Sequence, residues 1–195
     1  SEAHARERFE AVLGAAIEFD GVNDRVKMGD VLNQGSQSFT LSAWVRSTST
    51  AVGNNNGIIY KRGTANSTQA GYRLNMPQGR MNFHLADGTD FVSLTSAESG
   101  LNDGNWHHVA AVRRTETGKV EIYVNGTLSN SANDIVGNID STMPFAIGAL
   151  AVNDTSFYHP FMGSMDEVAV WRRSLSSGEI AQLHRRGANR IKYQI

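Results

Sequence analysis

The 195-residue chain contains no cysteine, only three prolines and almost no surplus of charge, its 18 Lys and Arg set against 19 Asp and Glu for a formal net charge of -1. Without cysteine there is neither a disulfide framework nor a thiolate metal site, so stability must come from a packed core, helped at most by a hard cation. A near-neutral chain without clustered Lys and Arg has no electrostatic basis for binding nucleic acid or an anionic membrane. No apolar run approaches the roughly 18 residues of a membrane span, and no charged-then-apolar leader precedes a cleavage site, so no direct membrane insertion is expected. No Gly-rich phosphate loop opens a helix, and no Ser, His and Asp arrangement carries a nucleophile-elbow signature, which leaves nucleotide binding and nucleophilic catalysis without support. There is no internal repeat.

What is present points to strands. Hydrophobic residues make up 40% and charged ones 19%, within the range of a globular chain with a core. The 19 glycines fall singly between short apolar runs, as turns between strands do. Phe39, Leu41, Ala43 and Val45 alternate with Thr40, Ser42, Trp44 and Arg46, a period of two. Similar runs follow at 58–62, 72–76, 81–85, 91–95, 106–113, 120–124, 145–149 and 165–171. About ten such strands require two packed antiparallel sheets, since a single sheet that large leaves an apolar face in water. The expected class is all-β, with a core drawn from Leu41, Val45, Leu74, Phe83, Leu85, Val112, Ile122, Val124 and Ile147. Ser176 and Glu179 have capping-box spacing, Arg185 and Arg186 suit a helix C-terminus, and Gly187 suits its terminator, predicting one short closing helix. Ala5, Phe9 and Leu13 recur at a four-residue spacing among charges, so residues 1–16 read as a short helical lead or a linker, and 17–195 as the sandwich.

Three segments then resemble the laminin-G-like jelly roll of the concanavalin A-like lectin and glucanase superfamily. They are Ile17-Glu18-Phe19-Asp20-Gly21-Val22-Asn23-Asp24-Arg25-Val26; Trp106-His107-His108-Val109-Ala110-Ala111-Val112 with Val120-Glu121-Ile122-Tyr123-Val124-Asn125-Gly126; and Phe161-Met162-Gly163-Ser164-Met165-Asp166-Glu167-Val168-Ala169-Val170-Trp171. Arg25 departs from the aromatic common there. The resemblance implies a two-sheet jelly roll and a non-catalytic binding module at a cell surface or outside the cell. Its expected partner is carbohydrate or a cell-surface glycan, as in an adhesin or tip domain, and a protein partner is the alternative. It also implies a structural calcium held by Asp20, Asn23, Asp24 and Asp166, oxygen donors of the kind the ion requires. Turn hydrogen bonds are the other reading of the same residues. The glucanases of this fold carry a Glu-x-Asp-x-x-Glu type of run, which is missing here. Asp166 and Glu167 are adjacent, so on a strand they face opposite ways, and Glu116 and Glu121 straddle a turn at Gly118.

Sugar binding needs aromatic rings for C–H faces and planar donors for hydroxyls. Alternation sets Arg73 and Asn75 opposite Leu74, and Arg80, Asn82 and His84 opposite Phe83, which offers them a shared exposed sheet face. Tyr60, Arg62, Asp87, Phe157, Tyr158 and His159 fall at or near loops, and the stretch from Asn153 to His159 is the strongest loop candidate; plugging the open edge of the sandwich is the competing role for its aromatics. His107 and His108 are neighbours on a strand, so at most one ring reaches any site, and a buried, hydrogen-bonded role is expected. Asn66, Asn125 and Asn153 begin glycosylation sequons.

Overall fold

The computed structural model describes residues 16–52, 56–63, 66–151 and 156–191, so the expected helical lead over 1–16 lies almost wholly outside the described residues. Strict alternation sorts side chains onto two faces, and two six-stranded antiparallel sheets result. The first sheet runs in the order β1 (Ile17–Asp20), β14 (Met162–Trp171), β3 (Phe39–Arg46), β8 (His107–Arg114), β9 (Lys119–Val124) and β10 (Thr127–Asn133). The second runs β2 (Val26–Lys27), β11 (Ala146–Ile147), β4 (Gly57–Arg62), β5 (Gly71–Asn75), β6 (Asn82–Ala86) and β7 (Phe91–Thr95). A two-stranded pair, β12 (Leu150–Ala151) and β13 (Phe157–Tyr158), stands apart. β1 and β14 pair although they come from opposite ends of the chain, as a jelly roll requires. Thr127–Asn133 has no alternating apolar pattern to mark it as a strand, being polar except for Leu128 and Ala132; it sits at the sheet edge, held to β9 by its backbone.

Between the sheets lies a core that includes Phe39, Leu41, Val45, Leu74, Phe83, Leu85, Ile122 and Val124, all at 5% exposure or less. Burying one such side chain is worth about 1.5–3 kcal/mol. Val112 is a correction to the expected core: it is fully buried, but on the opposite face of its sheet, with Ala110, Tyr123, Leu175 and Ile180. There it is covered by α1 (Ser177–Ile191), whose amphipathic face seals the outer side of the first sheet. The capping box forms: the Glu179 backbone amide donates to Ser176 Oγ at 3.3 Å and the Ser176 amide to Glu179 Oε2 at 2.8 Å. Gly187 does not end the helix, which continues through it. A Cβ at that position would stand 1.9 Å from Trp44 Nε1, so glycine is required by the close crossing of helix and sheet.

Two cations inside the sandwich are fully paired. Lys61 Nζ donates to Asp30 Oδ1 at 2.6 Å and to the carbonyls of Ser141 and Met143. Arg113 donates from Nε to Asp134 Oδ2 at 2.6 Å and from its terminal nitrogens to the carbonyls of Gly35, Val136 and Gly137. These charges can be buried because each donor nitrogen has an acceptor.

Candidate functional site

The site begins with a bulge. Pairing of β4 with β5 shifts between Gly57 and Ile59, so Ile58 and Ile59 both enter the core while Tyr60 and Arg62 project from the outer face of the second sheet. Register then aligns Tyr60, Arg73, His84 and Ser93 in one row across β4 to β7. Arg62 shares the next row with Phe91, and Asn75, Asn82 and Thr95 form a third.

This face is not the exposed one that alternation suggested. The connection between β4 and β5 folds back over it: Arg62 donates from Nη2 to the carbonyls of Asn66, Ser67 and Gln69, at 2.6, 3.3 and 3.4 Å. His84 Nε2 bonds the Ser67 carbonyl at 2.8 Å; because a carbonyl only accepts, Nε2 carries the proton and Nδ1 is bare. From the other side β12 and β13 bring Leu150, Tyr158 and His159. Gly57 permits this approach, since a Cβ there would meet the Tyr60 ring at 2.2 Å and the His159 carbonyl at 2.9 Å. Asn75, Tyr60, His84, Arg62 and Arg73 are consequently all at 8% exposure or less.

What remains open is a cleft of about 570 Å³ lined by Tyr60, Arg62, Gly63, Asn66, Ser67, Arg73, His84, Leu150, Tyr158 and His159. Of the residues expected to bind ligand, Tyr60, Arg62, Arg73, His84, Tyr158 and His159 meet here. Tyr60 and His159 stack with centroids 6.1 Å apart at 20°, and Tyr158, at 51% exposure, stands at the rim. The other expected residues go elsewhere. Asn75 and Asn82 lie one row away, Asn82 bonded to Ser93, Leu94 and Thr95. Asp87 caps its own turn, accepting the amides of Thr89 and Asp90 at 2.8 Å and that of Gly137 at 2.7 Å. Phe157 lies under the Arg25 guanidinium, 4.3 Å from ring centroid to carbon. Asn153 lies outside the described residues. Sequence reasoning missed Gly63, Ser67 and Leu150, and saw Asn66 only as a sequon. Its side chain in fact shapes the loop, Oδ1 accepting Thr68 Oγ1 and the Gln69 amide.

The cleft is electropositive. Burial, reinforced by the neighbouring Arg73, pulls Arg62 down to about 10, and burial lowers Arg73 as well. Burial and then the two arginines depress His84 to about 3, so it is neutral at physiological pH. Five of the buried side-chain atoms without a hydrogen-bond partner belong to this face: Arg62 Nε, Arg73 Nε, His84 Nδ1 and both amide atoms of Asn75. No carboxylate among the described residues lines the cleft. The acidic residues weighed for catalysis are tied elsewhere, Glu116 to Ser38 and Ser174, and Glu121 to Arg114 and Tyr123. His107 bonds Asp103 and Asn125, while His108 is buried between Trp44 and His184 with Nδ1 unpartnered.

The four residues expected to hold calcium do not fit a common site. Asp20 pairs with Met162, so Asp166 lies four residues farther along β14, roughly 13 Å away at the rise of a strand. Asp20 Oδ1 accepts the amides of Val22 and Asn23, Asp24 Oδ2 accepts that of Asp20, and Asp166 Oδ1 accepts that of Glu167. Among the described residues no three His, Asp or Glu side chains gather as a metal site needs, and no helix is long and apolar enough to cross a membrane.

A family model described as Concanavalin A-like lectin/glucanases superfamily matches residues 20–181. Among solved structures the chain is similar to the heptameric SAP-like pentraxin of Limulus polyphemus, with 16% identity and a TM-score of 0.62 over 87% of this chain and 81% of that one. It is similar also to the botulinum neurotoxin serotype D binding domain, at 16% identity and a TM-score of 0.67, and to the binding domain of Paraclostridial Mosquitocidal Protein 1, at 16% and 0.63. These alignments cover 88% and 87% of this chain but only 42% of each toxin chain, so it spans about two fifths of their length. No curated protein sequence matches it.

Proposed function

The chain belongs to the concanavalin A-like lectin and glucanase superfamily, and from that membership and the cleft geometry we propose that it is a carbohydrate-binding module that holds a glycan against Tyr158 and His159. One observation carries this reading: an exposed aromatic ring at the rim of a cleft whose floor is otherwise rich in nitrogen donors. A sugar presents C–H faces to a ring and hydroxyls to planar donors, and this cleft offers both. Its volume falls in the range of sites that enclose a small molecule. The similar structures named as binding domains support a binding role, and a secreted or cell-surface setting within a larger protein suits it. No carboxylate among the described residues lines the cleft, which supports reading it as a site that binds without cleaving.

The test is a glycan array probed with the parent protein and with Tyr158→Ala. Because Tyr158 is half exposed, its removal leaves the fold intact and lowers affinity by about three- to tenfold. An array that stays dark while a protein partner is captured would replace this reading with protein recognition. Release of reducing sugar from a bound glycan would overturn the non-catalytic part.

A further inference from the structure

The fold elsewhere gives its buried and half-buried cations a carboxylate. Lys61, next to Arg62 in sequence but facing the core, has Asp30; Arg113 has Asp134; Arg114 has Glu121. Arg62 and Arg73 have none among the described residues. Arg62 spends one terminal nitrogen on loop carbonyls and leaves Nε unpartnered. Arg73 makes no side-chain hydrogen bond among the described residues, although it is 8% exposed. A buried guanidinium nitrogen without an acceptor is costly, and two guanidiniums side by side with no carboxylate between them repel. His84 supplies no compensating charge. Arg73 is the register partner of Tyr60, two residues from Arg62, so the two arginines are diagonal neighbours on one face. Such neighbours stand about 7–8 Å apart, a spacing that one anionic group can bridge.

We propose that Arg62 and Arg73 form an anion subsite, and that the glycan taken by the cleft carries an acidic group, carboxylate or sulfate, held by both guanidiniums while its ring rests on Tyr158. The assignment rests on the glycan reading of the same cleft. Guanidinium is suited to it, since its fork matches the oxygens of either anion and it stays charged at every physiological pH.

The experiment compares three oligosaccharides of one backbone, neutral, uronic acid-terminated and sulfated, against the parent protein, Arg73→Met and Arg73→Lys. The acidic forms are expected to bind and the neutral form to bind at least about tenfold more weakly. Preference between uronic acid and sulfate identifies which acid the site takes. Arg73→Met should erase that discrimination, and Arg73→Lys, which keeps the charge but loses the fork, should fall between. The unliganded Arg73→Met protein should melt at a higher temperature than the parent, because an unpaired buried charge has been replaced by a side chain of similar length. Equal binding of neutral and acidic forms would overturn the anion subsite and leave the glycan reading standing. Absence of binding to all three would overturn both. An Arg73→Met protein that still prefers the acid would show that Arg73 is not the anion's partner, and one that melts lower would show that its guanidinium is not an uncompensated charge in the free protein.

Discussion

Arg73 and Arg113 place the same group at similar depth, 8% and 2% exposed, and differ only in what surrounds it. For Arg113 the surroundings are complete: Asp134 at 2.6 Å and three backbone carbonyls. Arg113→Met would leave the Asp134 carboxylate, 5% exposed, with a single amide donor at Val136, and would strand those carbonyls. The expected loss is about 3–5 kcal/mol in chemical denaturation, opposite in sign to the change expected for Arg73→Met. A loss below about 1 kcal/mol would mean water replaces the guanidinium freely. Part of the cleft was legible at this scale because a period of two is a local property: Arg73 and Asn75 share one face of β5, and Asn82 and His84 one face of β6, whereas the register that sets Arg73 beside His84 is not local. The fates of Asp87 and Phe157 were not equally local. Asp87 serves its own Asp-Gly turn, a pattern visible in sequence, whereas Phe157 is claimed by Arg25, more than a hundred residues away.

The closing helix shows where reading by element stops. Its start was legible because a capping box is four consecutive residues, and Ser176 with Glu179 forms one. Its end was not, because glycine has two uses near a helix terminus, and Gly187 serves the close crossing over Trp44. This separates two opposing effects. In an isolated helix Gly187→Ala would gain about 1 kcal/mol from propensity. Here the new Cβ meets Trp44 Nε1 at 1.9 Å and Cε2 at 2.5 Å, and forcing a methyl into packed surroundings costs about 1–3 kcal/mol. Since the helix must also lift from the sheet, a net destabilisation of roughly 1 kcal/mol is expected, visible as a lower melting midpoint. A midpoint above the parent's would show that propensity governs and that the crossing yields. Val112 was misplaced for a related reason: alternation tells which residues share a face, but only the docked helix makes the second face of β8 a core.

Across the whole molecule, stability is coupled to pH through histidines on the outer faces of both sheets. His84 lies under the loops of the cleft and His108 under α1, each 2% exposed. Burial comes first in depressing both, to about 3 and about 4; the arginines Arg62 and Arg73 add to it at His84, and His184 adds to it at His108. A group whose folded pKa lies below its unfolded value of 6.5 takes up protons in the unfolded chain first. The unfolded state therefore binds more protons in that window, and stability rises with pH. It is complete above about 6.5 and is lost as pH falls toward the folded values. Between pH 7 and 5 the two histidines together should cost roughly 4 kcal/mol. The depressed carboxylates Asp103, Glu116 and Glu179, held near 2 by their hydrogen bonds, contribute in a separate window: their stabilisation is present above the ordinary carboxylate range and fades only as pH falls below it. Urea midpoints measured at pH 7 and 5 therefore isolate the histidines. Equal midpoints would show that the loops over His84 and the helix over His108 open to admit a proton without unfolding the sandwich. A fall that His108→Phe halves would place half the linkage beneath α1 and the rest in the cleft, where protonated His84 adds a third positive charge to the two arginines.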